Sequence, residues 1–239
     1  MKALLKLSGQ VLKGGGNDVI DRDYLWRLAA VIKQAQVDGH QLAIVVGGGN
    51  LFRFDKQRMD SRDANLNRTL ADGRGMLATL FNGLWLQDVI QAAGIKSELF
   101  TAVFADQHFV QPLDLAKARI ALESGSIVIL AGGTGQPGFS TDSSAVSQAT
   151  QLGIDTILKA THTVDGVYSA DPATDSLARK LDQLTYQQAL SDHLAIMDET
   201  ALKQADTVGL TTIVFSIQDP AALTKLLAGE TIGSTIRPT

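Results

Sequence analysis

The sequence predicts an α/β protein in which a mostly parallel central sheet is sandwiched between helices. Three observations lead there. Short runs rich in leucine and β-branched residues alternate along the chain with stretches of helical periodicity. Those short runs are apolar at successive positions, as strands covered on both faces are. Five helical stretches are each followed by a glycine ahead of the next strand, where a left-handed residue is expected past a helix C-terminus. A repeated helix-to-strand unit of this kind builds a parallel sheet.

Taken in order, the first strand is expected at Ala3–Leu7, apolar except for Lys6. A helix follows over Asp23–Asp38, closed by Gly39, and then a strand at Leu42–Val46. The long helical pattern Ala71–Ala93 ends at Gly94 before the strand Ser97–Thr101. Helix Asp114–Glu123 ends near Gly125 before Ile127–Leu130, and helix Ser143–Leu152 ends at Gly153 before Thr156–Lys159. Helix Asp198–Val208, Gly209 and strand Thr212–Phe215 repeat the unit, and Pro220–Ala228 reads as a last helix. Pro172–Arg179 is the most loop-like stretch. With no convincing linker, internal repeat or low-complexity tract, residues 1–239 read as a single domain.

Composition narrows the function classes. The chain has 239 residues, 45% of them hydrophobic, which is an ordinary globular balance. A net charge of −4, no basic run and few aromatic residues argue against a nucleic-acid surface. With no cysteine, disulfides and thiolate metal sites are excluded, and the 4 histidines lack zinc-site spacing. No apolar stretch approaches the roughly 18 residues of a membrane span. The first residues are too short an apolar run for a signal peptide. A cytoplasmic enzyme is therefore expected, with no nucleic-acid or membrane partner.

The most informative segment is Val128–Asp142, where an apolar run opens into a glycine-rich loop and then an Ala/Ser-rich helix. Such a loop can present backbone N–H groups to a phosphate. It nearly fits two known patterns. Gly133, Gly135 and Gly138 have the dinucleotide spacing, with Asp155 about 20 residues on. However, Asp155 precedes its strand instead of ending it, Pro137 interrupts the glycine motif, and further residues separate Gly138 from any helix. Gly133 to Gly138 also has P-loop spacing, but Phe139 stands where the phosphate-binding lysine belongs. A glycine turn without a ligand is the bland reading.

Ligands of parallel sheets bind beyond the carboxyl ends of strands. Four such ends carry unusual residues here: Lys6-Leu7-Ser8-Gly9-Gln10, Gly47-Gly48-Gly49-Asn50-Leu51-Phe52-Arg53, the loop above, and Lys159-Ala160-Thr161 leading to Val164–Pro172. Three glycines in succession cost backbone entropy, and close approach of a phosphate is the expected reason. Arg53 offers a planar fork for phosphate oxygens. Lys6 can supply the cation that the Phe139 loop lacks. Taken singly, each could equally be a surface charge or a tight turn.

With these loops in view, the chain resembles the bacterial uridylate (UMP) kinases of the amino-acid-kinase superfamily, nearly end to end. The likeness includes Leu5–Gly9, Gly47–Arg53, Gly75-Met76-Leu77-Ala78-Thr79, Asn82-Gly83-Leu84, Thr134-Gly135, Thr141-Asp142-Ser143 and Lys159-Ala160-Thr161. It continues through Val164-Asp165-Gly166-Val167, Ala170-Asp171-Pro172, Gln183–Tyr186 and Met197-Asp198. The resemblance implies an amino-acid-kinase-like α/β/α fold and transfer of the ATP γ-phosphoryl to UMP, with Mg²⁺ accompanying ATP, in pyrimidine nucleotide synthesis by a homohexamer. It implies catalytic roles for Lys6, Arg53, Asp142 and Asp198. On the ATP side it implies Lys6, Leu7, Ser8, Gly9, Gly49, Arg53, Thr161, Tyr168 and Asp171. On the UMP side it implies Gly48, Asp72 and the loop Thr134, Gly135, Gln136, Pro137, Gly138, Phe139, Ser140 and Thr141.

The chain departs from the family pattern at several places. Gln10 replaces a usual Glu, Phe54 a Gly, Gly73-Arg74 a His-Met pair and Gly138 an aromatic, while His162-Thr163 lengthens the nucleotide loop by one residue. Lys13–Asp18 is unlike the segment tied to GTP activation. Two competing readings follow: a superfamily relative that phosphorylates a carboxylate or carbamate, and a nucleotide-binding sensor or storage subunit without turnover. Met76–Ala93 could serve as an interface or as core.

Overall fold

A computed structural model describes residues 1–15, 17–52, 67–103, 106 and 108–239. Among them, β1 (Lys2–Leu7), β2 (Gln41–Val46), β3 (Ser97–Thr101), β4 (Gln111–Pro112), β5 (Ile127–Ala131), β6 (Thr156–Thr161), β9 (Gln183–Thr185), β10 (Thr211–Ser216) and β11 (Ser234–Arg237) form a 9-stranded sheet. Its order is β4-β3-β5-β2-β1-β6-β10-β11-β9, and β10–β11 is its one antiparallel pairing. A separate antiparallel pair joins β7 (Val167–Tyr168) to β8 (Lys180–Leu181).

Side chains alternate across a strand, and here both faces are apolar because both are covered. Ala3, Leu5 and Leu7 of β1 pack with Leu42, Ile44 and Val46 of β2 against α1 (Arg22–Val37), α2 (Arg68–Ala92) and α7 (Ala221–Leu227). Leu4, Ala43, Val45 and Ile157 face the other way, onto α3 (Leu115–Glu123), α4 (Thr141–Leu152), α5 (Tyr186–Ser191) and α6 (Glu199–Val208). The result is the expected three-layer α/β/α sandwich with a mostly parallel sheet.

All the strands and helices expected from the pattern are present, their ends shifted by at most 3 residues. Gly39, Gly94, Gly125, Gly153 and Gly209 all have positive φ, between 63° and 84°, as a C-terminal stop requires. The structure adds the short strands β4, β7, β8, β9 and β11, helix α5 and a 3₁₀ turn over Gly9–Leu12. The chain winds outward from β1 in both directions, so the carboxyl ends of β1, β2, β5 and β6 gather at one edge. That edge is where ligands of doubly wound sheets bind.

Candidate active site

Lys6 and Lys159 are register partners on the neighbouring parallel strands β1 and β6. Alternation sends both toward the face that α4 covers. Ser140 caps α4 by accepting the Ser143 N–H at 3.0 Å, and this sets Asp142 in the first turn. Its carboxylate meets Lys6 Nζ at 2.9 Å and Lys159 Nζ at 2.7 and 2.8 Å. All three side chains are largely buried, at 10 to 16% exposure. Burial pushes the Asp142 carboxyl up, but the two ammonium groups outweigh it and hold it down at about 2. Burial and the adjacent Lys6 charge bring Lys159 down to about 8, against the pull of Asp142. The helix N-terminus also favours the carboxylate. The cluster carries a net positive charge, poised for an anion.

Two glycine loops flank this cluster. After β2, the residues Gly47 and Gly48 are required by the protein itself. A Cβ on Gly47 would lie 2.9 Å from Gly9 N, and one on Gly48 would lie 2.8 Å from Ala78 Cβ and 2.9 Å from Gly75 O. The crowding expected from a phosphate thus comes at these two positions from the β1 turn and α2. After β5, Gly132 has φ of 79°, and a Cβ there would meet the Ala102 and Val103 nitrogens at 2.8 Å.

The loops enclose two cavities, both within the size range of small-molecule sites, roughly 300–1,000 Å³. The smaller, about 410 Å³, lies between the loops and α2, where Phe52, Met76, Asp72 and Phe139 line it. The larger, about 780 Å³, opens between the 3₁₀ turn and the end of β6, beside Lys13, Lys159 and Thr161. Lys6, Ser8, Gly49 and Asp142 line both. The lysine–aspartate cluster is therefore the junction of two ligand-sized spaces.

Of the residues expected on the UMP side, Gly48, Asp72, Gln136, Phe139, Ser140 and Thr141 line the smaller cavity. Thr134, Gly135, Pro137 and Gly138 are not in its wall, although the Gly138 N–H donates to Asp72 Oδ2 at 2.8 Å. The other Asp72 oxygen accepts Arg68 Nε at 2.9 Å. On the ATP side, Thr161 lines the larger cavity, with the departing pair His162-Thr163 beside it, but Tyr168 and Asp171 do not. Tyr168 instead donates its hydroxyl to Asp165, and Asp171 accepts the Ala173 N–H to close a turn. Gly9 lines the smaller cavity and not the larger.

Leu7 is core, its carbonyl accepting the Gly47 N–H at 2.8 Å. Asp198 lines neither cavity. It caps α6 through the Ala201 N–H and accepts the hydroxyls of Ser140 and Ser143, so it steadies the start of α4. Arg53 and Phe54 lie outside the described residues. Lys159, Arg68 and Lys13 also line the cavities, although the sequence motifs assign them no role. Lys159 carried the same signal as Lys6, a cation closing an apolar strand.

Comparison with known proteins agrees with this geometry. The sequence matches the amino acid kinase family over residues 1–216. Among solved structures, it is similar to the UMP kinase of Bacillus anthracis, with TM-score 0.91, 30% identity, and coverage of 99% of this chain and 95% of that one. The UMP kinase of Ureaplasma parvum gives TM-score 0.89 at 29% identity, covering 99% and 98%. The uridylate kinase of Archaeoglobus fulgidus gives 0.74 at 29% identity, covering 99% and 100%. The chain belongs to the amino acid kinase family.

Proposed function

We propose that this protein is an ATP-dependent UMP kinase, converting UMP and ATP to UDP and ADP. The observation that carries the reading is the pair of cavities meeting at Lys6 and Asp142, one site for each nucleotide with a cation where they touch. The likeness to UMP kinases over nearly the whole chain supports the choice of acceptor.

In this reading ATP occupies the larger cavity and UMP the smaller. A phosphate oxygen of UMP attacks the γ-phosphorus in line as the bond from that phosphorus to the β,γ-bridging oxygen breaks, and ADP leaves with the electron pair. The acceptor phosphate is largely ionised near neutral pH, so no base need remove a proton. The protein's work is then positioning and charge stabilisation. Lys6 and Lys159 neutralise the gathering phosphates, and Asp142 holds the two ammonium groups side by side. At an effective dielectric near 20, one unit-charge pair about 4 Å apart is worth about 4 kcal/mol. Ser8, Gly49 and Arg53 complete the donor contacts, and Asp72 orients the acceptor.

Mg²⁺ would travel with ATP. Asp142, the carboxylate at the junction, has both oxygens committed to lysines, and the described residues form no metal-binding acidic group. They do not fit as a protein cage for the ion, so it would be held by phosphate oxygens and water. The setting is pyrimidine nucleotide synthesis in the cytoplasm, by one domain per chain assembled as a hexamer. Leu77, Phe81 and Leu84 leave an exposed apolar stripe on α2 that supports self-association.

The test is an ADP-release assay with ATP over UMP, CMP and a panel of amino acids and carbamate. UMP should be strongly preferred and UDP should accumulate in step with ADP. Turnover on a carboxylate or carbamate, or nucleotide binding without ADP release, would contradict the proposal.

A further inference from the structure

Two buried carboxamides hold glycine carbonyls on either side of the smaller cavity. Asn82 of α2, fully buried, donates Nδ2 to Gly47 O at 2.7 Å. Gln148 of α4, 3% exposed, donates Nε2 to Gly133 O at 3.1 Å. Neither residue lines either of these two cavities. Asn82 also exchanges hydrogen bonds with Asn50 at 2.7 and 3.0 Å, in the same loop as Gly47. Thr79, one turn before Asn82, accepts the Gly132 N–H at 2.7 Å, so a single face of α2 grips both loops.

Burying an amide costs free energy that an apolar side chain of equal size would not. Gln148 makes the cost plain, because its Oε1 is buried with no partner among the described residues. What both amides supply is a neutral, directional donor. A carboxylate could not donate, and another lysine would compete with Lys6 for phosphate. Drawing the Gly47 and Gly133 carbonyls into the protein keeps their negative ends away from incoming phosphates. Among the described residues, the Gly48 and Gly49 N–H groups have no protein acceptor.

We infer that Asn82 and Gln148 are positioning residues that set the width of the acceptor cavity by fixing its two glycine loops, and so determine how UMP meets Lys6. The inference rests on the phosphotransfer reading. It separates two roles that usually move together. Gln148→Met keeps length and volume and removes the unpartnered oxygen, so thermal stability should hold within about 4 °C. Misplacing a reacting group by about 1 Å can cost about 100-fold. In Gln148→Met, kcat/KM for UMP should therefore fall about 30-fold, while KM for ATP stays within about threefold.

Asn82→Ala should show the same UMP-selective loss. The decisive experiment measures both KM values, kcat and melting temperature for wild type and the two variants. Unchanged UMP kinetics in Gln148→Met, or parallel loss toward ATP and UMP, would overturn the inference while leaving the kinase reading intact. A wild-type chain that transfers nothing to UMP overturns both.

Discussion

The two cavities share a floor and differ in their walls. The acceptor cavity has one buried wall, formed by Ala71, Thr79 and Gly48, facing an exposed side that includes Arg68, Gln136 and Phe139. The donor cavity is rimmed by exposed polar residues, among them Lys13, His162 and Thr163. A rigid wall reads shape, whereas a solvated rim of charge and hydroxyls reads mainly the polyphosphate. The acceptor should accordingly be chosen strictly and the donor loosely, with Lys6 and Asp142 indifferent to which side is filled.

Substitutions can break that contrast. Lys6→Ala strikes the shared floor and should lower turnover by about 1,000-fold with both substrates saturating, in a protein that remains folded. Near-normal turnover would remove Lys6 from the reaction.

Asp142→Asn should cost about 100-fold, because the ammonium groups lose their common partner. It should also change acid stability. A carboxyl held near 2 in the fold, against an ordinary 3.8, stabilises the protein above about pH 4 and loses that contribution as pH falls toward 2. Denaturation midpoints of wild type and variant should therefore converge across that window.

Lys159, brought down to about 8, predicts that kcat/KM for ATP falls as pH rises through about 8. Arginine at that position keeps its charge, and Lys159→Arg should move this limb upward. The fold sheds this proton more readily than the unfolded chain. The lysine's unfavourable contribution to stability therefore shrinks as pH rises from about 8 to 10.5.

The smallest effects should separate the walls. Asp72→Asn should raise KM for UMP about tenfold and leave ATP alone, consistent with one weakened charged hydrogen bond. Lys13→Ala should raise KM for ATP about threefold and leave UMP alone, since an exposed cation is screened. Steady-state kinetics with each substrate varied in turn will read both.

Much of this was legible in the sequence because strand ends converge in a parallel sheet. Lys6, the Gly47–Gly49 run and the Thr141-Asp142 pair could be assembled without coordinates. Lys159 was as legible as Lys6, but its partnership depends on the β1–β6 register, which no local pattern reveals. Asn82 and Gln148 sit inside helical patterns, where a polar residue reads as solvent-facing until tertiary contacts bury it. The short strands β9 and β11 exist through long-range pairing with each other and β10. Helix α5 did carry a signal, the Thr185–Gln188 capping box, but six residues are too few for periodicity to show. The glycines at 47 and 48 looked like ligand contacts and are in the first instance packing contacts with α2 and the β1 turn.

The most direct test of a shared floor uses one molecule that fills both cavities: adenosine joined to uridine through five phosphates. Titrated calorimetrically, it should bind wild type at least about 100-fold more tightly than ADP or UMP alone, with Lys6→Ala losing most of that gain. Binding no tighter than the better half, or unaffected by Lys6→Ala, would mean that the cavities do not meet at this cation.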